Sequence, residues 1–348
     1  MTFPFTWRHP AVIAGLAALA AAVAGLLLVL GAGADPATAG NALVEGMFGS
    51  PYAIGSSLNT AAVLALVATG FTVAHRAGLV NVGGEGQLCA GGVAGAATGL
   101  ALPGSTPSVL AVPAVLVAGF AAGALWGWIA GLLLVRRGTS EVITTLLLNF
   151  VGIGVVALAV HEEALLRQPV TSTETLPQSA PLPEAAQLPL LGSVESPATA
   201  IVVVALAAAA VTALVLHRSP TGLRLRAVGH SRPAAARLGV PVDRLRAGGL
   251  AVAGGLAGTA GAALIATAPF VLAEHFSSGY GFAGLVVGLL ARGSLTAVVG
   301  VSLVFGFLTN GGINLQLASE VPASSVQIVQ SLLVLFVAAS MLWKEKRA

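Results

Sequence analysis

The sequence predicts an all-α, polytopic membrane protein with about ten transmembrane helices, short or broken segments among them. Composition is the first reason: of 348 residues, 56% are hydrophobic and 8% are charged, whereas soluble domains carry roughly 25% charged residues. The second is that apolar windows of span length recur along the chain. The third is charge. With the loops placed alternately on the two sides, every one of the sixteen lysines and arginines except Arg167 falls on one face. That sorting is expected of a cytoplasmic face.

Arg8 and His9 precede an apolar run from Ala11 to Leu30. A run of ~20 residues is long for the core of a signal peptide and matches a bilayer crossing, so it is read as the first helix. Further spans are expected near 52–74, 81–102, 109–135, 140–160, 197–216, 247–269, 295–313 and 323–343, with a short segment at 279–291. Asp35, Glu45, Glu162, Glu163, Glu174, Glu184, Glu195, Glu274 and Glu320 fall on the face opposite the arginines. Residues 1–348 thus form a single transmembrane domain in a cell (inner) membrane, with both termini cytoplasmic. Residues 161–197, interrupted by Pro169, Pro177, Pro181, Pro183 and Pro189, form an external loop rather than a span. That loop suits either a landing surface for an external protein or a solvated connector.

Small residues recur at fourfold spacing, at Gly91, Gly95 and Gly99, at Gly119, Gly123, Gly127 and Gly131, and at Gly254 and Gly258. Such stripes let helix backbones approach closely and are assigned to architecture. Cys89 is the single cysteine, in an apolar stretch, and reads as a packing residue. Only Lys344 and Lys346 could serve a phosphate loop, and both lie at the extreme C-terminus, so the chain is not expected to hydrolyse ATP itself. None of the six histidines pairs at helical metal-site spacing. No catalytic constellation, metal site, cofactor or nucleic-acid partner is expected.

Three stretches carry polar groups where apolar ones are the rule. In GLVNVGGEGQL, Gly78 to Leu88, glycines alternate with Asn81, Glu85 and Gln87. Irregular backbone of this kind is tolerated at membrane depth only inside protein or beside a polar cavity. Glu85 suits either that role or an acid at a helix N-terminus. In TSEVITTLLLNF, Ser140 and Glu141 suit a helix start, and Asn149 should lie near mid-bilayer, bridging helices or facing a solute. Thr144 and Thr145 can bond their own backbone. In the third stretch, Gly279 to Gly306, the helical part Phe282 to Ala291 rises only ~15 Å, about half the hydrocarbon core. The two glycine-interrupted segments, 81–92 and 279–293, hint at an internal repeat around a midplane path.

Residues 219–246 are different again. With Arg218 they hold seven arginines against one acid, Asp243. Ser219 to Gly222 suits a turn, Gly229 interrupts the helical pattern, and Ser231 followed by Pro233 starts a fresh helix. Two short helices along the cytoplasmic membrane surface are expected. Ala227, Val228, Ala234, Ala235, Ala236 and Leu238 would form a smooth apolar face for a groove on another protein, or the loop simply touches anionic lipid.

The run GLRLRAVGHSRPAAARLGV, Gly222 to Val240, resembles the cytoplasmic coupling segment of ABC importer permeases in the nucleoside and simple-sugar branch, relatives of the ribose and branched-chain amino acid importer permeases. GLVNVGGEGQ and the late stretch from Gly279 resemble the same family's motifs in the same order, although the family commonly has asparagine at His230, an acid at Ala283, and Asn-Pro near Ser294 and Leu295. The resemblance implies a coupling site at Gly222, Arg224, Arg226, Ala227, Val228, Gly229, Ala235 and Gly239, with Gly229 at the turn. It implies a translocation pathway touched by Asn81, Glu85, Gln87, Asn149 and Phe282. It also implies a separate ABC ATPase subunit, a second homologous permease in a heterodimer, an extracytoplasmic solute-binding protein, and a nucleoside or pentose as solute. An ion-coupled secondary carrier would also use broken helices. A membrane-embedded enzyme lacks its catalytic residues.

Overall fold

The computed structural model describes residues 10–170, 176–192, 195–319, 321–322 and 325–331. In chain order the helices are α1 (Pro10–Gly31), α2 (Pro36–Phe48), α3 (Pro51–Arg76), α4 (Gly84–Ala101), α5 (Ser108–Arg137), α6 (Glu141–His161) and α7 (Ile201–Arg218). They continue with α8 (Pro220–His230), α9 (Arg232–Arg237), α10 (Val242–Ile265), α11 (Tyr280–Ala291) and α12 (Leu295–Ser319). Among the described residues β-pairing is limited to isolated bridges, so the all-α class stands.

Six of these helices, α3, α5, α6, α7, α10 and α12, are long and apolar enough to cross a bilayer. The protein is a multi-pass membrane protein. Of the ten expected crossings, 81–102 is realised as α4, which starts only at Gly84, and 279–291 as the 12-residue α11. The span expected at 323–343 lies largely outside the described residues.

One element escaped the sequence reading. Residues 36–48, expected as part of an outer loop, form α2, bent by 119° from the second half of α1. The local reason is simple: the Asp35 carboxylate accepts the Thr38 N–H at 2.8 Å, and Pro36 occupies the first turn.

The chain divides into two compact units, Met1–Thr60 with Leu303–Ala348, and Ala61–Ser302. In the first, Ala39 and Ala42 of α2 pack with Leu315, Val321 and Val326. Amides stitch the helices: Asn314 donates to the Ala42 carbonyl at 2.7 Å, and Asn310 donates to the Ala53 carbonyl at 3.0 Å.

The core of the second unit is α4, α5 and α10, and its closeness depends on the glycine stripes. A methyl group placed on Gly258 would lie 2.9 Å from Gly123 Cα and closer still to the Gly119 carbonyl oxygen. The small-residue stripes are therefore the helix crossings themselves. Residues 61–74 of α3 are buried throughout.

The segment after α6 is more than a connector. Ser179, Leu182, Ala186 and Leu188 are buried. Three of their backbone amides bond the chain beyond α10: Ser179 N–H to the Leu272 carbonyl at 2.9 Å, and Leu182 N–H to the Phe270 carbonyl and Leu188 N–H to the Ala266 carbonyl, both at 2.8 Å. Leu182 also fills the space beside Gly99 of α4.

Candidate translocation pathway and coupling segment

After α3, the chain leaves helical geometry at Gly78, where φ is +69°, and regains it at Gly84. The freed backbone groups of this break need partners, since each unsatisfied group inside a membrane costs several kcal/mol. The amides of the motif supply them. Asn81 and Gln87 bond each other in both directions, at 2.9 and 3.2 Å, and Asn81 Oδ1 also accepts the Gly83 N–H at 3.0 Å. From α6, Asn149 Oδ1 accepts the Gly86 N–H and its Nδ2 donates to the Val82 carbonyl, both at 2.9 Å. Thr145, one turn earlier, accepts the Val82 N–H at 3.2 Å while donating to the Glu141 carbonyl.

Glu85 turns the other way. Its carboxylate accepts the Gly281 N–H at 2.8 Å, in the first turn of α11, with the Ser277 side chain alongside. The open N–H groups of α11 thus receive an acid from α4, as the helix dipole favours. The two glycine-interrupted segments meet here with backbone on backbone, because a methyl on Gly281 would strike Glu85 N and Cα. The opposite end of α11 is tied as well: Arg76 Nη2 donates to the Gly293 carbonyl at 2.6 Å. Sequence reasoning used Arg76 only as a cytoplasmic charge; its partner at the end of α11 lies 217 residues away, and no local signal points to it.

Of the five expected pathway residues, Asn81, Glu85, Gln87 and Asn149 are between 0 and 5% exposed, and Phe282 is 39% exposed. The structure brings the four polar ones into one continuous set around the break. Asn149 bridges helices. Phe282 stands apart on the accessible side of α11. Ser140 occupies the cap position of α6 without a side-chain capping bond, while Thr144 and Thr145 bond back to their own helix.

Residues 219–246 contain the two expected short helices, with different joints. Ser219 to Gly222 is not a separate turn: Ser219 caps α8, its hydroxyl accepting the Gly222 N–H at 3.2 Å. Ser231 caps α9 through the Ala234 N–H at 3.4 Å. Gly229 lies within the last turn of α8, and its α-carbon faces α3, since a methyl there would sit 2.5 Å from the Arg76 carbonyl oxygen and 3.2 Å from Gly78 N. Val228 and Ala235, expected on an outward apolar face, are 1% and 2% exposed and pack inward instead. Helical periodicity explains the difference, because Leu225 and Val228 share one face of α8. Gly222 and Leu225 are buried too. Arg224, Ala234, Ala236, Leu238 and Gly239 are exposed, with Arg226 and Ala227 half-buried.

The family model described as "Branched-chain amino acid transport system / permease component" matches residues 53–338, which include both meeting segments and the whole of residues 219–246. The chain belongs to this permease family. The permease is 32% identical over 333 residues to the guanosine ABC transporter permease protein NupP of Bacillus subtilis, covering 95% of this chain and 92% of that one. It is 31% identical to a glucose ABC transporter permease protein of Haloferax volcanii, covering 95% and 88%. It is 28% identical to the nucleoside ABC transporter permease protein NupB of Lactococcus lactis, covering 90% and 86%. No solved structure matches significantly. As a permease component the chain is a membrane subunit of a transporter, and among the described residues no cluster of histidine, cysteine and carboxylate side chains could hold a metal ion.

Proposed function

We propose that this permease is one membrane subunit of an ATP-driven importer of nucleosides. It pairs with a second, homologous permease, is driven by a separate ATPase, and receives solute from an extracytoplasmic binding protein. The observation that carries the solute class is the 32% identity, over nearly the full length of both chains, to a permease named for guanosine. Uncharged amides and one carboxylate around the helix break fit a neutral, hydrogen-bonding solute. In the arrangement described they are turned inward; separation of α4 from α11 beside the exposed Phe282 would uncover Glu85, and loosening of α4 from α5 and α6 would uncover Asn81, Gln87 and Asn149. The arginine-rich face is cytoplasmic, with both termini there, and α8 and α9 dock on the ATPase through the exposed part of 219–246. Residues 161–197 face outward and receive the binding protein. A simple-sugar solute is the second reading, favoured by the 31% identity to a permease named for glucose.

The test is reconstitution of the chain with an ATPase, a second permease and a binding protein from the same genome, followed by uptake of labelled guanosine and of labelled glucose. Guanosine uptake coupled to ATP hydrolysis is expected. Glucose uptake without nucleoside uptake would replace the first reading by the second, and uptake that needs an ion gradient but no ATP would overturn both.

A further inference from the structure

α11 is bounded at each end by two consecutive residues in the left-handed region. Ser278 and Gly279 precede it, with φ of +44° and +75°, and Arg292 and Gly293 follow it, with φ of +51° and +75°. Glycine adopts that region freely, but a serine or arginine does so under strain, which persists only where the surroundings enforce it. Two charged side chains do so here. They come from either side of the same break: Glu85, after it, accepts the Gly281 N–H at 2.8 Å, and Arg76, before it, donates to the Gly293 carbonyl at 2.6 Å. The Arg76 grip uses one arm of the guanidinium, since Nε is buried without a partner. Between its ends α11 rests on α3 and α4 through Gly281, Gly284 and Gly288, which meet Glu85, Val67 and Phe71. A glycine face interlocks little and can shift with little repacking. On the opposite face Phe282 and Leu289 are exposed.

We propose that α11 is a hinged gate over the helix break, and that Arg76 is the positioning residue through which α8 and α9 control it. Control by α8 and α9 rests on the reading of the chain as an ATP-driven importer; the hinge does not. Both helices touch the turn of α3 that carries Arg76. Gly229 of α8 lies against the Arg76 carbonyl oxygen, and Arg232 of α9 donates to the Gly78 carbonyl at 3.3 Å. When α8 and α9 shift with the ATPase, that turn shifts too and withdraws Arg76 from Gly293. The residues at 278 and 292 then relax, α11 swings off α4, and Glu85 opens to the solute.

A reversible lock tests the gate. A Cβ on Gly288 would lie 3.0 Å from that of Phe71, within small adjustment of the ~3.5–4.5 Å found in disulfides. In the assembled transporter carrying Cys89→Ala, Phe71→Cys and Gly288→Cys, oxidation should lower solute uptake at least about tenfold and reduction should restore it. Undiminished uptake by the cross-linked protein overturns the gate. Arg76→Gln should retain ATP hydrolysis while the solute moved per ATP falls about tenfold, as loss of one charge-assisted bond predicts, and Arg76→Lys should recover part of it. Equal loss of hydrolysis and uptake would make Arg76 a purely structural contact and overturn its controlling role. The chain alone, in detergent, gives a third measurement, with spin labels on Leu289→Cys of α11 and Leu125→Cys of α5. One narrow distance is expected with Arg76 present and a broadened or second distance with Arg76→Gln. The same narrow distance in both overturns the hinge. A parent transporter that takes up solute without ATP would remove the importer reading, and control by α8 and α9 with it, while the spin-label distances would still decide the hinge.

Discussion

The Glu85 carboxylate accepts the Gly281 N–H at 2.8 Å, joining the first turns of two helices that lie 196 residues apart in the chain. Removing the acceptor strands a buried N–H, which costs about 1–3 kcal/mol. Glu85→Ala should therefore lower the melting temperature of the detergent-solubilised protein, whereas Glu85→Gln, which keeps an acceptor oxygen, should lose less. Gly281→Ala has no such half measure, since the added carbon meets Glu85 backbone atoms. Forced overpacking of this kind costs ~1–3 kcal/mol or more. A Gly281→Ala protein as stable as the parent would mean that α4 and α11 do not approach as described.

Asn149→Leu should damage folding and transport together. The sequence alone left Asn149 either bridging helices or facing a solute. The structure shows both ends of the amide spent on the Gly86 N–H and the Val82 carbonyl, so leucine strands two backbone groups at about 1–3 kcal/mol each. Fluorescence-detected size-exclusion chromatography would check this, with Asn149→Leu giving a much reduced monodisperse peak. Gln87→Leu frees only side-chain partners and should lose less.

Gly229→Ala should loosen the coupling segment before any partner is considered. Its methyl would press on the Arg76 carbonyl oxygen at 2.5 Å, and backbone cannot yield as a flexible side chain can. The expected result is reduced co-purification of the ATPase with little change in membrane insertion, and Gly229→Asp should be worse. Undiminished, solute-stimulated ATPase activity in both variants would refute this.

Asp35 provides a pH test. Its hydrogen bonds from the Thr38 N–H and hydroxyl, both 2.8 Å, hold its carboxyl below the usual range. A lowered folded-state value means that the capping contribution is full above the ordinary carboxylate range and fades as pH falls through the folded value. The melting-temperature gap between the parent and Asp35→Ala should be present at about pH 7 and shrink toward about pH 3. Against Asp35→Asn, which caps without a charge, any gap at neutral pH should be smaller.

What could be read from the sequence was what local chemistry determines. Span length and charge sorting located the helices, the serine at 231 marked a cap, and the glycines around 78–84 and 279 marked breaks. The choice of partners was not legible, because it is made in three dimensions. Nothing local to Asn149 says that it faces Val82 and Gly86, and nothing local to Gly229 says that α3 stands against it. The missed α2 is a different case: Asp35 followed by Pro36 is a local start signal, overshadowed by reading Asp35 and Glu45 as acids of an outer loop.

The Gly78–Gly229 approach also bears on how directly a displacement of α8 would reach the helix break. Gly78 is the residue at which α3 gives way to the break, three positions before Asn81. A push on α8 therefore has no slack linker to take up before it reaches the strand of chain that the amides hold. Only Leu79 and Val80 lie between Gly78 and Asn81. Force and displacement would be passed on with little delay, and an inserted residue between Gly78 and Asn81 would act as a slipping clutch.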